Sequence, residues 1–99
     1  MFARVAVYEI PPHRLDEAVG SFQEAIGEIR EMAGLEEVYV LVSSESGRAL
    51  TMSLWDGQDA MEASRLKASR LRNEAARAVD GSVQSVVEYE VPIHETIRS

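Results

Sequence analysis

The sequence predicts an α+β domain whose elements run β-α-β-β-α-β, and three observations carry the prediction. Four short runs, "FARVAVYEI", "LEEVYVLVSS", "RALTMSLW" and "SVQSVVEYEV", are rich in the β-branched, aromatic and aliphatic residues of strands. Two longer stretches between them carry apolar residues at three- and four-residue spacing, the mark of helices with one buried face. Gly47, in the "ESG" between the second and third runs, supplies the positive φ of a tight hairpin.

The first strand ends at Pro11-Pro12, which cannot donate to a sheet ladder. From His13 onward, Leu15, Ala18, Val19, Phe22, Ala25, Ile26, Ile29 and Met32 mark one face of the first helix, and Gly34 stops it. After the hairpin, Asp56 is placed to cap the second helix and Asp59 lies in its first turn; Asp80-Gly81 closes it after Val79. The last strand ends at Pro92. A single domain over residues 1–92 with a polar tail at 93–99 accounts for the 99 residues. This order is the ferredoxin-like split arrangement, an antiparallel sheet covered on one face by two helices, with the first and third strands expected parallel at its centre.

Composition removes several classes of function. Without cysteine there is no disulfide framework, thiolate chemistry or cysteine-held metal, which fits a cytoplasmic protein. The apolar run at the N-terminus is too short to span a membrane, is interrupted by Arg4 and lacks a signal-cleavage pattern, so a soluble chain without a membrane partner is expected. A net charge of -7 argues against nucleic acid. The one basic cluster, Arg65, Lys67, Arg70, Arg72 and Arg77, is scattered around a helix axis and reads as a solvated face. No His-x-x-x-His pair, His/carboxylate cluster or glycine-rich phosphate loop is present, so no metal and no cofactor is expected.

A lone two-layer domain keeps the helix-free face of its sheet polar. Here both faces of the strands are apolar: Ala3, Val5 and Val7 oppose Arg4, Ala6 and Tyr8 in the first, and Tyr39 and Leu41 oppose Val38, Val40 and Val42 in the second. Leaving about six such side chains in water exposes a patch of several hundred Å². Covering it contributes on the order of 10 kcal/mol before association costs. A second copy of the same sheet is the simplest cover, which predicts a two-fold homodimer with Val5 and Val7 in its interface. In the third strand, Leu50, Met52 and Leu54 share one face, and this fully apolar set is expected to meet the helices. Trp55 then points to the opposite face or its rim, as an anchor of the dimer interface or of the β-to-α junction.

With the first strand, "PPHRLDEAV", "GLEEVYVLV", the hairpin and "SLWDGQDAM" in place, the chain resembles the antibiotic-biosynthesis-monooxygenase-like members of the dimeric α/β-barrel superfamily over roughly Phe2 to Val91. The resemblance implies a sheet-to-sheet dimer. It also implies a pocket between sheet and helices in which several members oxidise aromatic, polyketide-like substrates without a metal or organic cofactor. A haem-degrading branch of similar fold carries an asparagine on the first strand, a tryptophan in the second helix and a haem-ligating histidine after it. Those positions fall at Ala6, Ser64 and Glu74 here, which disfavours haem degradation.

Three residues are candidates for chemistry. Arg4 is a charge in a central strand, able to hold a substrate anion or to form an ion pair with Glu88 or Glu90 of the last strand. Tyr8 shares its face with Ala6 and can donate to a substrate oxygen or bond locally. His13 starts the first helix, as a general base or an exposed residue. The second helix has a buried stripe of small residues; if a cavity lies beneath it, Ala6, Ser64, Ala68 and Leu71 are the expected pocket residues. Two readings follow: a cofactor-independent monooxygenase acting on a small aromatic or polyketide-like molecule, or a non-catalytic homodimer that binds a small hydrophobic ligand.

Overall fold

The computed structural model describes residues 1–98. Four strands, β1 (Phe2–Glu9), β2 (Leu35–Ser43), β3 (Arg48–Trp55) and β4 (Ser82–Glu90), form one sheet in the order β2-β3-β1-β4. A 3-10 turn, Pro12–Arg14, leads into α1 (Leu15–Ile29); α2 (Gln58–Ala63) and α3 (Arg65–Arg77) connect β3 to β4. This is the ferredoxin-like α+β arrangement. All neighbouring strands pair antiparallel, β1 with β3 included, which corrects the parallel pairing expected at the centre. The reason is topological: the α1 crossover returns β2 parallel to β1, and the hairpin then reverses the chain.

Turn chemistry fixes the connections. Gly34 (φ 83) and Gly47 (φ 70) both occupy the left-handed region. A side chain at Gly34 would also lie 2.5 Å from the Ala60 Cβ. The helix after β3 starts at an N-cap Gly57 with no side-chain cap, not at Asp56, although Asp59 does lie in its first turn. It is also broken: Ser64 separates α2 from α3 (φ -84, ψ -12) where one helix was expected. At the end of α3 the left-handed residue is Asp80 (φ 57), and the Gly81 N–H bonds back to the Ala76 carbonyl at 2.8 Å.

The core lies between sheet and helices, built from Ala6, Tyr8 and Ala49 of the sheet, Ala18 and Phe22 of α1, and Ala75, Ala76 and Val79 of the third helical segment. Directly paired residues of antiparallel strands share a face, so the β1/β3 register of Arg4 with Ser53 and Ala6 with Thr51 puts Thr51, Ser53 and Trp55 under the helices. Leu50, Met52 and Leu54 occupy the other face, the reverse of the expected assignment. Trp55 is 0% exposed within a single copy, so its assignment as a dimer-interface anchor is also corrected. A one-residue shift of facing inverts a whole strand. The polar pair Thr51 and Ser53 is taken inside because each meets a buried hydrogen-bonding group there.

On the open face, Tyr39, Leu41, Val87 and Tyr89 remain exposed, with Val5 and Val7 half-buried between them. No helix among the described residues is long and apolar enough to cross a membrane. Residues 93–98 form no helix or strand, though His94 Nε2 approaches the Glu37 carboxylate at 3.4 Å; Ser99 lies outside the described residues.

Candidate functional site

Arg4, on central strand β1, is 5% exposed and has a hydrogen-bond partner at each guanidinium nitrogen. Its NH2 donates to Glu88 Oε2 and to the Met61 carbonyl, both at 2.9 Å, and its NH1 donates to Ser64 Oγ at 3.1 Å. Ser64 Oγ in turn donates to the Met61 carbonyl at 2.7 Å. The break between α2 and α3 therefore presents a carbonyl and a hydroxyl to a buried cation. Glu88 also accepts from Arg65. The hydrogen bond from Arg65 and then that from Arg4 hold the Glu88 carboxyl below its ordinary pKa, against the effect of burial. Of the two glutamates expected to pair with Arg4, Glu88 does so.

The Arg4 guanidinium carbon stands 5.8 Å from the Trp55 ring centroid, a cation–π contact, and Trp55 Nε1 donates to Ser53 Oγ at 2.9 Å. Tyr8 is 1% exposed; its ring lies 4.8 Å from that of Phe22 and its hydroxyl is 2.9 Å from Thr51 Oγ1. Burial pushes the Tyr8 phenol above its ordinary value, and this outweighs the opposing effects of Thr51 and Arg72. Tyr8 is therefore a neutral donor or acceptor near pH 7, not a phenolate base.

These side chains floor a cavity of about 70 Å³, partly open to solvent. Arg4, Tyr8, Thr51, Ser53 and Trp55 come from the sheet, Phe22, Ile26 and Ile29 from α1, and Ala68, Leu71 and Arg72 from α3. The enclosed space is roughly half that of a cavity that holds benzene. Of the expected pocket residues, Ala68 and Leu71 line it. Ala6 and Ser64 are buried but do not, since Ala6 belongs to the packed core and Ser64 is committed to Arg4. His13 is exposed in the 3-10 turn and is not brought to the cavity with Arg4 and Tyr8. Among the described residues, no three His, Asp or Glu side chains gather as metal ligands.

Arg72 is the residue that sequence reasoning missed. It was grouped with the solvated basic face of the second helix, yet it is half-buried and lines the cavity. Its desolvation holds its pKa below the ordinary arginine value, partly offset by Tyr8. The signal was present: Arg72 stands four residues after Ala68 and three before Ala75, on the small-residue stripe itself.

Fold and cavity together define a small split β-α-β domain with a pocket between its layers. The antibiotic biosynthesis monooxygenase (ABM) family model matches residues 1–71, well over half of the chain, and the chain belongs to that family. Among solved structures, a Deinococcus radiodurans protein described as an antibiotic biosynthesis monooxygenase superposes with a TM-score of 0.78 at 15% identity, covering 100% of both chains. SnoaB, a cofactor-independent oxygenase from Streptomyces nogalater, gives 0.74 at 11% identity over 94% of each chain. MhuD, a haem degrader from Mycobacterium tuberculosis with two haems in its active site, gives 0.72 at 17% identity over 97% of this chain and 100% of its own. None of the curated proteins compared matches the chain. At these identities the superpositions establish the fold.

Proposed function

We propose that this chain is a cofactor-independent monooxygenase that works as a homodimer on a small aromatic molecule held between sheet and helices. The observation that carries the reading is the cavity itself: apolar walls over a floor with a phenol, an indole and a cation, in a chain of the ABM family. An electron-rich substrate in its ionised form reacts directly with dioxygen, so the protein's task is to position it, exclude water and stabilise negative charge. Tyr8 is assigned to donate to a substrate oxygen. Arg4 contributes positive charge at the cavity floor beside Trp55, its nitrogens being engaged by Glu88, Ser64 and the Met61 carbonyl. With Tyr8 neutral, the substrate enters already ionised or loses its proton to solvent. The enclosed part of the cavity is too small for a whole ring, so a single-ring substrate extends into its open side, and a fused polyketide or a haem would have to lie farther out still. The exposed apolar face supports the dimer, with Val5 and Val7 in the interface. A cytoplasmic location belongs to the same proposal, in keeping with the absence of cysteine.

The second reading, a non-catalytic homodimer that binds a small hydrophobic ligand, is favoured by one observation: no histidine or carboxylate lines the cavity to take a proton. Oxygen consumption with a panel of single-ring quinols, with an anthrone-like compound as the fused-ring comparison, separates the two. The monooxygenase reading expects uptake that falls in Tyr8→Phe and in Arg4→Lys. No uptake across the panel would leave the binding reading standing, and equal rates in wild type and both variants would remove the site assignment.

A further inference from the structure

The chain carries 17 acidic residues against 10 basic ones, so a buried arginine has carboxylates to choose from. Arg4 and Arg70 each pair with one, and Arg14 and Arg65 with two. Arg72 does not, although it lines the cavity. Among the described residues no carboxylate lies within ion-pair distance of it, and its Nε, shielded from solvent, has no hydrogen-bond partner. An unmet donor on a desolvated cation is costly and marks a group whose partner, a water, an ion or a ligand, lies outside the chain. Arg4, the other cation of the cavity, by contrast has a partner at each nitrogen: Glu88 at Nε and NH2, Ser64 at NH1 and the Met61 carbonyl at NH2.

We infer that Arg72 is the anion-recognising residue of this pocket, and that the pocket takes a single-ring aromatic carboxylate whose carboxyl group receives the two terminal N–H groups of the Arg72 guanidinium as a two-pronged pair. The guanidinium edge matches a carboxylate in shape as well as charge. Trp55, Phe22, Ile26 and Leu71 supply the flat and apolar surfaces that a ring requires. The volume of about 70 Å³ admits no more than one ring, part of it in the open side of the cavity. Arg72 remains a cation near pH 7 despite its lowered pKa, and the neutral Tyr8 phenol adds no competing negative charge. The inference rests on the cavity being the functional site, as proposed above, and narrows its ligand to a charge class.

Trp55 is the chain's only tryptophan and lines the cavity, so its fluorescence reports binding in the full-length protein. Benzoate is titrated against benzamide and benzyl alcohol, ring compounds of similar size without charge, with calorimetry as the second readout. Benzoate is expected to bind saturably and at least about tenfold more tightly than either neutral compound, the usual advantage of a charge-assisted hydrogen bond. Arg72→Gln is expected to erase that preference by weakening benzoate about tenfold while leaving benzamide unchanged, and Arg72→Lys to restore part of it. Absence of saturable benzoate binding, equal affinity for benzamide, or unchanged benzoate affinity in a folded Arg72→Gln would each overturn the inference. The wild-type comparison alone decides the matter if the variant does not fold. Saturable benzoate binding without oxygen uptake on any substrate would leave this inference standing and remove the monooxygenase reading. Oxygen uptake on neutral quinols, unaffected by Arg72→Gln and without benzoate binding, would do the reverse.

Discussion

On the face of the sheet that the helices cover, β1 and β3 present Arg4, Tyr8, Thr51 and Ser53; on the face left open, the same strands present Val5, Val7, Leu50 and Met52. A domain built only to be stable as one copy would have the opposite arrangement, with hydroxyls and charges toward water and valines under the helices. The inversion is what the proposed pocket under the helices and the proposed second copy on the open face would each require. Polar groups are kept inside, bonded to one another around a cavity, and apolar groups are kept outside, where only a further surface can cover them.

The largest effect is expected from charging the open face. Leu41 and Val87 lie on different edge strands and are 50% and 42% exposed, so aspartate at each leaves the single copy's packing nearly intact. In the proposed dimer the same carboxylates are buried without partners, and association should weaken about a thousandfold or more. Sedimentation of wild type and the Leu41→Asp/Val87→Asp variant reads this directly. A wild-type monomer at micromolar concentration, or a variant that stays dimeric, would refute the face-to-face arrangement.

The covered face is tested next, through its ion pair. Glu88→Ala leaves the Arg4 guanidinium buried with only Ser64 and the Met61 carbonyl, and should cost about 3 kcal/mol of stability in urea unfolding. Glu90→Ala, an exposed residue on the same strand, should change stability by less than about 0.5 kcal/mol. Equal losses in the two variants would mean that the Arg4 network contributes little. The same pair predicts an acid limb. The folded-state pKa of Glu88 is depressed by Arg65 and Arg4, so its contribution is fully present above the ordinary glutamate value of about 4.3 and is lost as pH falls through the lower folded value. Glu88→Gln should flatten stability over that window, and an unchanged acid limb would show that other carboxylates set it.

The strands, helices and hairpin were legible because each has a local cause: Pro11-Pro12 ends β1, Gly34 and Gly47 take positive φ, and the α1 stripe repeats at helical spacing. Glu88 was legible as the partner of Arg4 because antiparallel pairing places the two side by side. Facing was not. Leu50, Met52 and Leu54 look like the interior of β3 by hydrophobicity, and only tertiary partners reveal the choice: Thr51 for Tyr8, Ser53 for the Trp55 N–H. The helix break at Ser64 was likewise invisible, because it depends on Arg4, sixty residues away in sequence, drawing on the Met61 carbonyl. Arg72 was masked by its neighbours: read as one of five solvated basic side chains, it drew attention away from its spacing to Ala68 and Ala75, the one sequence sign of the cavity it lines.

The smallest expected effect sharpens what the interior polar groups are for. Tyr8→Phe keeps the ring against Phe22 and removes only the hydroxyl bonded to Thr51, so the loss at neutral pH should be about 1 kcal/mol. Because burial raises the folded-state pKa of Tyr8, the unfolded chain ionises first as pH climbs past the ordinary tyrosine value of about 10. The stability from keeping this phenol neutral is therefore full below that value and lost as pH rises through the higher folded one, and Tyr8→Phe should show a shallower alkaline decline. Thermal melts from pH 8 to 11 compare the two proteins; parallel curves would mean that the phenol is not held in a desolvating site. A variant with the small expected stability loss but no oxygen uptake assigns the hydroxyl to a substrate. One that loses several kcal/mol makes the Tyr8–Thr51 bond part of the frame and transfers the weight of the site to Arg72.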